Sequence, residues 1–452
     1  MSRPLPLPDQ TGPKLNRAIV ALAMPAVGEN LLLTAATFAD TLLVGWLRSP
    51  AALSAVAMAG FINFILTSLF AAVAVACTSI VARSWGADNP LRARAALGQT
   101  VLFAFVCAVA LLGLGLPLAG PFLRLMGLSG EALVLGSYYL QALFWGNLLA
   151  LPGIVLYGGM RGTGDTRTPL LITGFMNVVH IGLAYLLVFG GLGLAGMGVY
   201  GAALAILVTN AAAGLLALLV TWRGRGEFFL RLRDLRPQRS MISEIFLLAG
   251  PALGEQVVFR ISQLIYMRCV SGLGEIVLAA HQIALSVESL AYMPGWGFGI
   301  ASTTLSGQYI GAKKPWMAER SVWRTLVFSV TVLCSIGLLF LLLGRQMATL
   351  FGGTPEVVIL AGIAIRWSAL EQPGLAVFNV LGGALRGAGD TKSPMRATFA
   401  GVLVRLAVVY PFAYTFGWGL AGIWLASGLD WIARAIVLLV YYRRGRWKAR
   451  GV

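Results

Sequence analysis

Twelve apolar stretches follow one another along this chain. They lie near 15–47, 52–84, 93–118, 131–160, 168–191 and 194–222, then near 241–271, 276–310, 318–344, 356–385, 394–416 and 419–442. Each is long enough to cross a hydrocarbon core of roughly 30 Å. In lipid a backbone must satisfy its own polar groups, and a helix does so within one segment. The chain is therefore expected to be an all-α integral membrane protein with 12 transmembrane helices. The scarcity of charge agrees. Only 11% of the 452 residues are charged and 58% are hydrophobic, whereas a soluble domain carries about 25% charged residues. Several stretches exceed the roughly 20 residues a crossing needs, so tilt, kinks or projection beyond the bilayer are expected.

The charges that remain are sorted by side. Of 34 Lys and Arg, 26 fall in the N-terminus, the loops after the even-numbered stretches and the tail. Three, Arg48, Arg124 and Arg345, fall on the opposite side. This is a positive-inside pattern with both termini cytoplasmic. The net charge of +17 thus reports topology, and no nucleic-acid partner is expected. Met1–Pro13, polar with four prolines, lacks the basic-then-apolar order of a cleaved signal, so the first helix is expected to stay. Cys77, Cys107, Cys269 and Cys334 sit in apolar runs without C-x-x-C spacing. They read as small core residues, not as metal ligands or disulfide partners.

The two sets of six stretches are copies. Arg161-Gly-Thr-Gly-Asp-Thr-Arg-Thr-Pro169 recurs as Arg386-Gly-Ala-Gly-Asp-Thr-Lys-Ser-Pro394, six of nine positions identical at an offset of 225. Leu22-Ala-Met-Pro25-Ala-Val-Gly-Glu29 matches Leu248-Ala-Gly-Pro251-Ala-Leu-Gly-Glu255 at 226, and Gly86-Ala87 matches Gly311-Ala312 at 225. The halves occupy 1–222 and 241–452, and the Arg-rich segment 223–240 links them on the cytoplasmic side. Six spans per half give both halves one orientation, a parallel repeat in which substrate sites tend to lie between the halves. Within the motif, Gly162 and Gly164 are expected to stop the fourth helix. Thr168 and Pro169 read as N-cap and first residue of the fifth. The motif lacks the Lys-Ser/Thr ending and preceding strand of a phosphate-binding loop, so nucleotide binding is not indicated.

With these residues in view, the chain resembles the multidrug and toxic compound extrusion (MATE) family. The resemblance rests on the duplicated R-G-x-G-D-T, on Gln308-x-x-Gly311-Ala312 and on Ala280-His281-Gln282, and it covers essentially the whole chain. It implies two six-helix lobes in a V and a monomer in a prokaryotic inner membrane. It also implies export of amphipathic organic cations, driven by proton or sodium entry, with no further cofactor. Asp40, fifteen residues after Pro25, resembles the first-span Asp of the DinF-like branch. The positions of the NorM-like carboxylates hold Phe259 and Leu375. The Asn-x-x-x-Asp of many DinF-like members is broken here, because Asn177 is followed by Ile181.

An ionisable residue inside a span is a functional candidate by default. The acids are Glu29, Asp40, Glu255, Glu288, Glu371 and Asp430. Second-half spans also hold Arg260, Arg268, Arg366, Arg405 and Arg434, and the i,i+4 spacing of Asp430 and Arg434 reads as an ion pair. First-half spans hold no Lys or Arg at depth, so Glu29 and Asp40 are expected to lack a permanent counter-ion. Such a carboxyl must keep a proton or hold a cation, which is what ion coupling requires. Asp40 shares a polar stripe with Asn30, Thr34, Thr37 and Thr41. It is the expected coupling carboxylate, completed by Asn177 and His180, with Asn147 and Tyr139 nearby. His180 reads either as a proton carrier or as a satisfied core residue. His281, Glu288 and Tyr292 share a face of the eighth span, and Glu371 lies in Glu371-Gln372-Pro373-Gly374. Both Glu residues could meet a cationic drug or pair with Arg260, Arg268, Arg366 or Arg405. Pro25, Pro251, Pro294 and Pro373 are expected helix kinks.

The leading expectation is a proton-coupled antiporter. Sodium coupling and a lipid-linked precursor flippase of the wider superfamily are the alternatives. A membrane enzyme would need a Ser/His, His/Asp or metal constellation. His180 and His281 are the only histidines, one in each half.

Overall fold

The computed structural model describes residues 12–191, 193–224 and 228–449. Arg3, Arg225, Arg450 and the stretch before Gly12 lie outside them. The first six predicted spans form α1 (Pro13–Gly45), α2 (Pro50–Gly86), α3 (Pro90–Leu125), α4 (Gly130–Thr163), α5 (Arg167–Phe189) and α6 (Val199–Arg223). The next three form α7 (Arg239–Ser271), α8 (Glu275–Gly311) and α9 (Pro315–Thr349). The tenth is two helices, α10 (Pro355–Ser368) and α11 (Glu371–Gly387). Then come α12 (Lys392–Tyr410), extended by a π-helical turn over Pro411–Thr415, and α13 (Gly419–Arg443). Eleven helices among the described residues are long and apolar enough to cross a membrane.

The divided tenth span departs from the expected single helix. Pro373 has no N–H and crowds the carbonyl four residues back, so a helix cannot run through Ala369 and Leu370 undisturbed. In the first turn of α11 those defects cost little. Glu371 and Gln372 thus open a helix near the middle of the predicted span. By contrast α1, α7 and α8 continue through Pro25, Pro251 and Pro294.

The repeated motif builds the same turn twice. Gly164 (φ 95°) and Gly389 (φ 85°) adopt the left-handed conformation that only glycine takes cheaply. Asp165 N–H then closes on Met160 O (2.9 Å) and Asp390 N–H on Leu385 O (2.7 Å). The expected cap by Thr168 is corrected. Helix α5 starts at Arg167, and Asp165 caps it by accepting from Thr168 N (2.9 Å) and Thr168 Oγ1 (2.6 Å). Asp390 does the same for Ser393 N (3.2 Å) and Oγ (2.7 Å). A carboxylate out-competes a hydroxyl for these amides because it accepts with full charge.

Contacts divide the chain into two compact units. Among the described residues the first holds 28–81 and 89–246, and the second holds 12–27, 82–88 and 247–449. The N-terminal end of α1 and the C-terminal end of α2 therefore pack with second-half helices. In the second unit Leu15, Ile19, Leu22 and Ala23 of α1 share a core with Phe298, Ala301 and Leu305 of α8. Glycines permit the closest crossings. A Cβ on Gly86 would stand 1.9 Å from Gln308 O, and one on Gly311 equally close to Arg83 O. In the first unit Gly162 of α4 lies on Thr78 of α2. The copies of these residues, Gly387 and Thr303, make the same contact in the second unit.

The connections keep the repeat visible. Helices α1 and α2 have 33 and 37 residues, as do α7 and α8. The loop between them spans 46–49 in the first half and 272–274 in the second. The linker is fixed to the start of α3. Gln99 donates to Asp234 O (2.9 Å) and Arg236 O (2.7 Å) and accepts from Gln238 N (3.0 Å).

The crossings predict a size threshold. Gly387→Ala places a methyl 2.2 Å from Thr303 O and is expected to destabilise the protein by about 2 kcal/mol. Gly113→Ala meets no atom within 4 Å and should leave stability unchanged or raise it. Thermal unfolding in detergent checks both.

Candidate ion-coupling site and buried charge network

Asp40 lies on α1, 9% exposed, and faces His180 of α5 and, beyond it, Thr209 of α6. His180 Nε2 is 2.7 Å from Asp40 Oδ1, and His180 Nδ1 is 3.0 Å from Thr209 Oγ1. The Thr209 hydroxyl donates its hydrogen back to Ala205 O (2.8 Å). Which contact His180 donates to depends on its tautomer: a hydrogen on Nε2 goes to Asp40, one on Nδ1 to Thr209. Without a hydrogen on Nε2 or on Asp40, an imidazole lone pair would face a carboxylate.

The other predicted members are placed around this chain of three. Asn177, one turn before His180, donates to Leu32 O (2.6 Å) and fixes α5 against α1 two turns before Asp40. Thr37 turns its hydroxyl back to Leu33 O (3.2 Å), and Asn30 offers its carbonyl to Thr34 (3.1 Å). Much of the polar stripe is thus satisfied within α1, and Thr37 stands outside the Asp40–His180–Thr209 chain. Tyr139 of α4 is buried within electrostatic reach of Asp40. Asn147 is committed elsewhere and donates to Asn63 Oδ1 of α2 (2.7 Å).

Glu29 is not without a counter-ion, as the sequence led us to expect. Arg161 of the repeated motif reaches it at 2.6 Å. The copy is equivalent: Arg386 reaches Glu255 at 2.6 Å, with Thr398 Oγ1 as a second donor at 3.2 Å. Each motif arginine sits half-buried near its helix end and reaches an acid one turn after the repeated proline. The pair ties the first and fourth spans of each half together.

In the second half the expected Asp430–Arg434 pair is present, with Nη2 to Oδ2 at 2.8 Å. Arg405 of α12 joins it at 2.7 Å from Asp430 Oδ2 and donates to Ser427 (3.1 Å). Glu288 and Glu371 are buried. Of the four arginines expected as partners, Arg405 is the one whose charge acts on both. A cleft lined by Tyr266, Glu288, Tyr292, Arg405, Trp424 and Ser427 adjoins them. His281 is fully buried between the rings of Tyr266 (5.6 Å) and Trp424 (5.5 Å). Phe259 lies under the Arg434 guanidinium, 5.2 Å from ring centroid to Cζ, and Leu375 is core.

Comparison with known proteins is decisive for the family. The MatE family pattern matches residues 25–186 and again 251–411, so each match opens on one of the repeated prolines, Pro25 and Pro251. The chain is 31% identical over 453 residues to a "Probable multidrug resistance protein NorM" of Thermotoga maritima, covering 99% of this chain and 96% of that one. This chain belongs to the MatE family of membrane transporters. An "Uncharacterized transporter YisQ" of Bacillus subtilis is 23% identical, with 92% of this chain and 91% of that one covered. Among solved structures, a MATE in complex with MaD3S superposes with a TM-score of 0.88 at 23% identity, over 96% of this chain and 97% of that chain. A MOP superfamily transporter from Pyrococcus furiosus superposes at 0.86 and 22% identity, over 96% of both. At these identities the structures establish the fold.

In this MatE protein, sequence reasoning missed Thr209 and the Glu–Arg pairs. A signal for the pairs was available: both members recur, Glu29 at an offset of 226 and Arg161 at 225. We predict that Glu29→Ala, which removes the charge-assisted hydrogen bond to the half-buried Arg161, costs about 2 kcal/mol. Adding Arg161→Ala should recover part of that loss. A double-mutant cycle in thermal unfolding checks it, and simple additivity would refute the coupling.

Proposed function

We propose that this multi-pass transporter is a proton-driven antiporter that exports amphipathic organic cations by alternating access. The observation that carries the reading is the 2.7 Å contact between Asp40 and His180, which holds only while a proton sits on one of its two atoms. Loss of that proton sets a carboxylate against an imidazole lone pair, and the contact between α1 and α5 opens. Arrival of an organic cation compensates the released charge. Proton binding therefore favours one arrangement of α1 against α5 and α6, and release favours another, as a two-state switch requires.

The same contact favours proton over sodium. A sodium ion wants several oxygens, whereas the ligand facing Asp40 is a nitrogen. A flippase reading would enlist arginines for a lipid phosphate, but Arg405 and Arg434 are occupied by Asp430. The 26-to-3 bias of basic residues supports cytoplasmic termini in a prokaryotic inner membrane, and a monomer is the proposed working unit. Asp40, with Phe259 and Leu375 at the other branch's acid positions, supports placement in the DinF-like branch.

Transport of a fluorescent organic cation in proteoliposomes, with pH and sodium gradients imposed separately, tests this. The wild type should respond to the pH gradient alone. Asp40→Asn keeps a hydrogen-bonding side chain but has no acid proton to release, and its pH-driven transport should fall to background. His180→Gln should lose about tenfold, the scale of one charge-assisted hydrogen bond. Full pH-driven transport by Asp40→Asn would sink the mechanism.

A further inference from the structure

The segment that joins the halves carries charge that the transport mechanism does not use. Its described part begins at Phe228, which is buried against Gly159 of α4. The next ring, Phe229, holds two guanidiniums against it, with Arg94 Cζ 3.8 Å and Arg231 Cζ 4.5 Å from its centroid. A 3₁₀ turn over Leu232–Leu235 follows. Within it Asp234 is buried, accepts from Arg231 N (2.9 Å) and pairs with Arg94 of α3 (3.5 Å). The Gln99 side chain adds its bonds to Asp234 O, Arg236 O and Gln238 N. A Cβ on Gly98 of α3 would collide with Asp234 O, so segment and helix are in backbone contact. The segment is therefore a strap fixed to α3 and not a loose tether.

Fixing the strap decides what it presents. Asp234, the one acid between Phe228 and Ser240, is turned inward to Arg94, with Arg233 Nε 4.0 Å from its other oxygen. Glu227 lies outside the described residues. Arg231, Arg233, Arg236 and Arg239 are exposed, and Arg223 at the end of α6 is exposed as well. Leu232 is 71% exposed between Arg231 and Arg233, and Trp222 is 57% exposed beside Arg223. Helix α6 ends at Arg223 and α7 starts at Arg239, both long enough to cross a membrane, so the strap runs along one bilayer face. In that layer negative headgroups attract juxtamembrane arginines, and Trp is at home beside them. A soluble polyanion would meet the guanidiniums but leave Leu232 in water, an apolar cost. Anionic lipid, with phosphate and acyl chain in one molecule, meets both.

We propose that the strap is a docking surface for anionic lipid. Its five exposed arginines, Arg223, Arg231, Arg233, Arg236 and Arg239, take headgroup phosphates, while Leu232 and Trp222 enter the apolar edge beneath them. Because α3 holds the strap in one shape, the arginines are presented together and need no ordering when lipid binds. Each contributes about fivefold in affinity at such a surface. The proposal rests on the cytoplasmic placement of the linker only for which leaflet supplies the lipid, and it is independent of the coupling ion.

The test is binding of a chain-labelled fluorescent phosphatidylglycerol to the full chain in neutral detergent, read by anisotropy, with a phosphatidylcholine of the same chains as reference. The wild type should bind the anionic lipid more tightly. Arg233→Gln/Arg236→Gln/Arg239→Gln should weaken phosphatidylglycerol binding about hundredfold and leave phosphatidylcholine binding unchanged. Arg48→Gln/Arg124→Gln/Arg345→Gln removes the same charge from the opposite side and should change neither. Leu232→Gln alters no charge and should weaken phosphatidylglycerol binding severalfold. Equal binding of the two lipids, equal losses in the two triple variants, or an unaltered affinity in Leu232→Gln overturns the proposal. So does displacement of the labelled lipid by glycerol phosphate or by an acidic peptide, which would assign the arginines to a soluble anion. If the triple variant does not fold, Arg233→Gln alone decides, with about a fivefold loss expected and an unchanged affinity refuting. No gradient enters this measurement, so a wild type indifferent to pH gradients would defeat the Asp40 mechanism and leave the lipid surface to be judged by binding. Trypsin cleavage at the strap in vesicles of known sidedness judges the leaflet separately.

Discussion

A charge inside a hydrocarbon layer has to be matched, because the cost of leaving it bare exceeds the stability of most folds. That requirement places nearly every acid within the spans of this protein. Glu29 takes Arg161, Glu255 takes Arg386, and Asp430 takes both Arg405 and Arg434. These matches are permanent, since a guanidinium does not give up its proton. Asp40 instead meets a histidine. Where the partner is arginine the match is a strut, and at Asp40 it is the contact on which the proposed proton coupling rests.

Much of this could be read from residue order. Apolar length marks the helices, and the duplicated motif aligns the halves. The Asp430–Arg434 pair follows from i,i+4 spacing on one helix. The misses share a cause: each needed the relative rotation of helices distant in sequence. Arg161 was assigned to a loop because its side chain's reach back to Glu29 depends on how α4 crosses α1. Thr209 is one unremarkable hydroxyl among many until α6 turns it toward His180. Arg405 was one of five candidate cations, and only packing of α12 on α13 singles it out. The split of the tenth span was half visible, since Glu371-Gln372-Pro373-Gly374 advertised trouble but a kink and a break share that signal.

The halves also differ where their sequences align. Asp40 falls opposite Tyr266 at an offset of 226. Tyr266 donates to Ile423 O at 3.3 Å and lies 5.0 Å from the Arg405 guanidinium. A carboxyl there would have drawn Arg405 away from Asp430. The aromatic ring tolerates the cation and leaves it to the network. Duplication supplied two equivalent scaffolds, and the acid at this position of α1 has no counterpart in α7.

The unequal loops between otherwise equal helices bear on how such a repeat can drift. Glu29 and Glu255 are separated by 226 positions, while Gly86 and Gly311 are separated by 225. The surplus residue lies in 46–49, which has one more residue than 272–274. A residue gained inside α1 after Pro25 would have turned Glu29 by 100° and swung it off Arg161. In the loop it turns nothing. This extra residue sits where no helix face has to be kept, so the Glu29–Arg161 register is undisturbed by it.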